Sequence, residues 1–150
     1  MKYNQHVCWD NVWKNISHSS LSTKVRSEWY KAVHDLIPTN QRLHRINMVN
    51  GGNCKICGKL DSLQHRLTEC SITKGIWRHL AVQLACVYRR HIEAIVPTIL
   101  LYPQYKFKKN SKMKLVNHLI GSTVFYILSN SRCNEEDYKL FLQKEKLKKL

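Results

Sequence analysis

Four metal-binding side chains fall within seventeen residues, in the pattern Cys54-x2-Cys57-x7-His65-x4-Cys70. A chain with this pattern must fold around whatever those side chains hold. The two-residue gap lets both thiolates of a C-x-x-C turn face one ion. Gly58 follows the second cysteine, where a tight turn gains from a residue without Cβ. The turn-forming run Asn50-Gly51-Gly52-Asn53 leads directly into Cys54. The other two ligands read as residues of a short helix. Asp61 can cap its start, and Gln64 three residues later can complete a capping box. His65 then projects from the first turn and Cys70 from the end. Five residues do not make one helical face, so the helix is expected to end or bend near Glu69.

Three thiolates and one imidazole form a closed tetrahedral set, with no position left for water. Closed sets are structural, whereas catalytic zinc keeps an open position. The reading is one structural Zn2+ on Cys54, Cys57, His65 and Cys70. The bound unit carries a charge of about −1, which Lys55, Lys59 and Arg66 can offset. A redox role for the C-x-x-C pair needs a βαβ context, and the sequence offers none. The bland alternative is two incidental cysteines, a core His65 and a buried Cys70. Four ligands so close together weigh against it. Cys8, Cys86 and Cys133 read as small core residues.

The rest of the chain reads as helix. It has 150 residues, 43% of them apolar, with only five Gly and three Pro. That suits one domain with a real core and little loop punctuation. Trp9, Val12, Trp13 and Ile16 predict a short first helix, broken at Ser17-His18-Ser19-Ser20. Val25, Trp29, Ala32, Val33 and Leu36 predict a second, from about Ser22 to Leu36, stopped by Pro38. Thr39 or Asn40 can cap a third, with Leu43 and Ile46 on one side. Ile76, Trp77, Leu80, Ala81, Leu84, Ala85 and Tyr88 predict a helix of about four turns. The stretch from His91 to Phe107 reads as a connector. Met113, Val116, Ile120, Val124 and Ile127, widened by Leu115, Leu119 and Leu128, predict a helix central in the core. Asn134 caps the last helix, with Glu135, Glu136 and Asp137 in its first turn and Lys144, Lys146, Lys148 and Lys149 near its end. The expected architecture is all-α, with about five or six helices and a small zinc-knuckle insertion. A single domain over 1–150 divides into N-terminal helices (1–49), a CCHC zinc knuckle (50–72) and a C-terminal helical part (73–150).

The opening residues Met1-Lys2-Tyr3-Asn4-Gln5-His6 do not begin a signal peptide. The longest apolar run, Val116 to Ser129, is interrupted by Asn117, His118, Ser122 and Thr123, which excludes a membrane span. The expectation is an intracellular protein, nuclear or cytoplasmic, with reduced cysteines and no membrane partner. Twenty-five Lys and Arg stand against ten Asp and Glu, for a net charge of +15. Such a field attracts polyanions, with nucleic acid first among them.

Several segments together resemble one known module: Val25-Arg26-Ser27-Glu28-Trp29-Tyr30, Ile37-Pro38-Thr39-Asn40-Gln41-Arg42-Leu43-His44-Arg45-Ile46, the C-x2-C-G…H-x4-C segment, and Ile76-Trp77. This is the zinc-binding region at the C-terminal end of reverse transcriptases from non-LTR (LINE-like) retrotransposons, especially the arthropod kinds. The similarity runs over about residues 10 to 130 and is densest from Asp61 to Cys70. The resemblance implies the same four zinc ligands: Cys54 and Cys57 from C-x-x-C-G, His65 and Cys70 from H-x4-C. It also implies a larger polyprotein whose polymerase, an RNA-directed DNA polymerase, carries paired aspartates. Here Asp10, Asp35, Asp61 and Asp137 are isolated, so the chain is expected to be a non-catalytic piece of such a polyprotein. The implied role is to help handle template RNA or target DNA during target-primed reverse transcription.

Arg42, Arg45, Lys55, Lys59, Arg66, Lys74 and Arg78 cluster around the zinc segment and can neutralise phosphates. The plainer reading of each is a solvated rim. Lys106, Lys108, Lys109, Lys112 and Lys114, interleaved with Phe107 and Met113, form a second basic run that could grip a single strand. Trp9, Trp13, Trp29 and Trp77 are read as core. His34, His44, His79 and His118 have no ligand partner at suitable spacing. Glu69 could accept a hydrogen bond from the His65 ring, though an exposed helix-end carboxylate is the plainer role. No nucleophile elbow, phosphate loop or carboxylate pair is present. The rival to nucleic-acid binding is a module docked on the polymerase part of the same polyprotein. A metal-dependent nuclease would need an open zinc position at His65.

Overall fold

The computed structural model describes residues 7–18, 20–88, 111–130 and 133–148, without the side chains of 86–88 and 111–113. Its elements are α1 (Trp9–Ile16), α2 (Thr23–Val33), α3 (Asn40–Arg45), a π-helical turn (His65–Glu69), α4 (Ser71–Tyr88), α5 (Ser111–Ser129) and α6 (Glu135–Leu147). The fold is all-α, as the periodicity predicted. The connector from His91 to Phe107, Lys106, Lys108 and Lys109, and the side chains of Cys86, Lys112 and Met113 lie outside the described residues.

Several helix ends have an identifiable cause. Ser22, Thr39 and Asn134 cap α2, α3 and α6 by accepting from the N–H groups of Val25, Arg42 and Glu136. Helix α2 ends at Val33, well before Pro38, because Asp35 turns left-handed (φ 54°). The N–H of Leu36 then reaches the carbonyl of Lys31, and that of Asp35 the carbonyl of Ala32. This is a Schellman closure with Asp in the position glycine usually takes. Asn47 (φ 58°) closes α3 in the same way. These closures overturn two expectations. Leu36 does not continue the buried stripe of α2, and Ile46 does not pack beneath α3; both are exposed.

The core is built around α5, which packs on α2, α4, α6 and the π turn. Val116, Leu119, Ile120, Val124 and Ile127 meet Val25, Trp29, Ala32 and Val33 of α2, Ile76, Leu80 and Leu84 of α4, and Tyr138 and Leu142 of α6 in one buried cluster. The polar residues that interrupt the apolar run of α5 are buried and paired inside it. Asn117 Nδ2 donates to the Asn15 carbonyl at 2.8 Å, and the Thr123 hydroxyl meets the Tyr138 hydroxyl at 2.8 Å. His118 lies 2.8 Å from Glu145, which Ser122 also reaches. Those pairs tie α5 to α1 and α6 as well as to the core. Among the described residues no helix is long and apolar enough to cross a membrane.

Gly121 lets α2 and α5 approach. A Cβ there would sit 2.9 Å from the Trp29 ring and 3.0 Å from Val25. Trp29 is wholly buried and has no room to give. Gly121→Ala is expected to lose roughly 1–3 kcal/mol by overpacking, partly offset by about 1 kcal/mol of helix propensity. A lowered thermal midpoint is expected. An unchanged or raised midpoint would show that Trp29 can shift freely.

Candidate metal centre

The knuckle starts where Asn53 pairs with Leu60 in an antiparallel bridge. Within it the Cys54 N–H reaches the Lys59 carbonyl at 2.7 Å, and the Gly58 N–H the Cys54 carbonyl at 2.9 Å. Gly58 adopts φ +75°, which an L side chain rarely adopts. This tight loop presents Cys54 and Cys57 on one side.

The second ligand pair comes from the π turn. The Cys70 N–H bonds the His65 carbonyl at 2.9 Å, an i→i+5 bond. In an α-helix, five residues at about 100° each would leave Cys70 about 140° away from His65. The wider π turn brings it back towards the same side. Cys70 itself is extended (ψ 139°), and α4 begins immediately after it. The carbonyls freed at the end of the turn are taken by α4. The Thr73 hydroxyl donates to the Arg66 carbonyl at 2.8 Å, and the Trp77 indole to that of Leu67.

The turn starts one residue later than expected. Ser62, not Asp61, caps it, accepting from the His65 N–H at 3.0 Å. Gln64 closes no capping box; its amide donates to Glu69 instead, and Glu69 is exposed. Asp61 is buried and acts as a strap. Its carboxylate accepts from the Asn40 N–H at the start of α3 (2.8 Å) and pairs with the Arg66 guanidinium.

Ligand atoms of Cys54, Cys57, His65 and Cys70 all lie within 4.8 Å of one another. His65 Nε2 is 3.2 Å from Cys57 Sγ. A zinc tetrahedron with the usual bond lengths has N···S edges of about 3.5 Å, so the four donors fit the ion. Nδ1 of His65 is buried and has no partner among the described residues. Burial disfavours the Cys54 thiolate, but the backbone N–H groups of Cys57 and Ile56, helped by His65 and Cys57, bring it down to about 7. Burial pushes the Cys70 thiol up. Cys133 lies across a cleft of about 250 Å³ also lined by Lys55, Arg66 and Thr73. Burial pushes its thiol up to about 11, and it does not belong to the group of four clustered donors. Cys8 is exposed rather than in the core.

The basic residues divide. Arg66 is held by Asp61, and Arg42 donates to the Asp35 carbonyl. Arg45, Lys55, Lys59, Lys74 and Arg78 are exposed and form no salt bridge among the described residues. Trp29 and Trp77 are core, as expected, but Trp9 is 37% exposed and Trp13 only partly buried. Tyr30 and His34 stand beside Trp13 on the surface, a grouping the helical stripe does not reveal because it crosses two helices.

An all-α fold with a three-thiolate, one-imidazole cluster defines a zinc-binding helical domain. The family model described as zinc-binding in reverse transcriptase matches residues 1–77, just over half of the 150-residue chain. The chain belongs to that family. The match covers the first three helices, the knuckle and the start of α4; residues 78 to 130, read above as similar, lie outside it. No curated protein and no solved structure matches the chain.

One zinc per chain is expected by elemental analysis, and its loss in Cys57→Ser or Cys70→Ser. Retention of zinc in both variants would exclude this ligand set. Protons compete for the thiolates, so zinc affinity should fall as pH drops through about 7, where Cys54 titrates in the metal-free chain. A competition titration with a chelator across that range would show it, and a pH-independent affinity would refute it. Asp61→Ala should keep the zinc but cost about 1–3 kcal/mol, by leaving the Asn40 N–H without its acceptor. Chemical denaturation of the zinc-loaded variant measures that loss.

Proposed function

We propose that the chain is the nucleic-acid-binding zinc domain of a non-LTR (LINE-like) reverse transcriptase polyprotein, with no polymerase site of its own. The observation that carries the reading is the set of exposed cations around the knuckle that form no salt bridge among the described residues: Arg45, Lys55, Lys59, Lys74 and Arg78. Residues 36–60 contain no Asp or Glu at all. With the net charge of +15, this is a surface suited to phosphates. Four protein donors fill the zinc coordination shell, so the ion's part is to hold the knuckle in shape. RNA or DNA handled during target-primed reverse transcription is the partner that this charge and the family membership favour.

A second reading has its own support. Ile46, Met48, Ile56 and Leu60 are exposed around the same knuckle. An aliphatic patch of this kind suits docking on the polymerase part of the polyprotein.

Salt separates the two readings. Binding of labelled RNA and DNA should weaken steeply between about 50 and 200 mM salt, with log affinity falling by roughly 0.9 per log unit of salt for each duplex phosphate neutralised. Replacing Arg45 and Lys59 together with Ala should make that slope shallower by about 2. No salt-sensitive binding to either nucleic acid would sink the nucleic-acid reading. Salt-insensitive association with the polymerase part would support docking instead.

A further inference from the structure

We propose that the ring ladder on the outer face of α1 and α2 is a stacking site for the bases of a single-stranded nucleic acid. The inference rests on the nucleic-acid reading above but concerns a different surface. Trp9 stacks on Trp13 with ring centres 5.7 Å apart, and Trp13 stacks on His34 at 5.1 Å and 12°. Tyr30 leans on both, 5.8 Å from Trp13 and 4.3 Å from His34. Among the described residues these four aromatic rings form one array: Trp9 is 37% and Tyr30 49% exposed, His34 is exposed, and Trp13 is partly buried against the core.

On α1 the rings adjoin the core face, and Trp13 packs partly against the core; on α2 they do not. Helix α2 buries Val25, Trp29, Ala32 and Val33, and Tyr30 and His34 stand on the other side. Every base offers a π face, and aromatic platforms beside cations hold single strands without regard to sequence. The cations are present. Lys14 follows Trp13 and is exposed. Arg26, one turn before Tyr30, reaches across to the Ser17 carbonyl at the end of α1. The ladder also adjoins the basic surface of α3, because Arg42 donates to the carbonyl of Asp35, the residue after His34. A protein partner would favour an aliphatic patch like the one at the knuckle. Stacked rings with polar edges and flanking cations favour nucleobases.

The test uses the full zinc-loaded chain with a short labelled oligothymidylate and an abasic strand of the same length. The intact chain should prefer the strand with bases. Tyr30→Ala combined with His34→Ala should weaken that strand's binding by about tenfold or more. Affinity for the abasic strand, salt slope and zinc content should stay unchanged. Tyr30→Phe keeps the ring and should bind as the parent does. Equal binding of base-bearing and abasic strands by the parent, or full binding by the double variant, overturns the ladder while leaving the basic rim in place. Failure of the parent to bind any strand or duplex removes the nucleic-acid reading itself, and the ladder with it.

Discussion

The hydrogen bond from the Cys70 N–H to the His65 carbonyl is the constraint on which the site depends. With the usual α-helical bond, His65 and Cys70 would diverge around the helix, and the cysteine would leave the metal. One extra residue in the turn keeps both donors on the knuckle side. It also ends the turn with Cys70 extended, so α4 can start at Ser71 in a new direction. A π turn gives poorer packing and hydrogen bonding than α, and short ones persist where something else holds them. Here α4 takes the freed carbonyls of Arg66 and Leu67 through Thr73 and Trp77. Leu67 lies in the core against this framework. The metal ligands are thus set by the hydrophobic core as much as by the knuckle loop.

A second tie runs through Asp61. Between knuckle and π turn, this buried carboxylate accepts from the Asn40 N–H and pairs with Arg66. It joins α3, which buries no residue of its own, to the metal-binding segment. Helix α3 is therefore held by its ends: by Thr39 and Asp61 at the start and by the Schellman closure at Asn47. That leaves one side, with Arg42 and Arg45 on it, exposed, while Gln41 and Leu43 are half-buried.

The helices and the metal cluster were legible because each rests on local spacing. The stripes of α1, α2, α4 and α5 follow from helical periodicity, and the C-x2-C…H-x4-C donors follow from ligand chemistry. Thr39 and Asn134 cap where their side chains suggested. Errors arose where a partner distant in sequence decided the outcome. Asp61 read as a cap because its own partner, Asn40, lies 21 residues away, which leaves the neighbouring Ser62 to cap the turn. Leu36 and Ile46 fit apolar stripes, but left-handed Asp35 and Asn47 ended those helices first. Trp9 read as core but is 37% exposed, while Trp13 packs partly against the core and meets Tyr30 and His34 of another helix at its outer edge.

The distribution of acids explains the surface best. Only ten are available against twenty-five Lys and Arg. Asp61 and Glu145 are buried, bound to Arg66 and to His118 and Lys148. Glu28 and Glu136 pair with Lys31 and Lys139 along their own helices. The remaining six acids stand against twenty-one Lys and Arg. Like charges so arranged repel and oppose the compact state. A bound polyanion would turn that repulsion into attraction and stabilise the fold by mass action. The zinc cluster and the core supply the stability that this repulsion takes away.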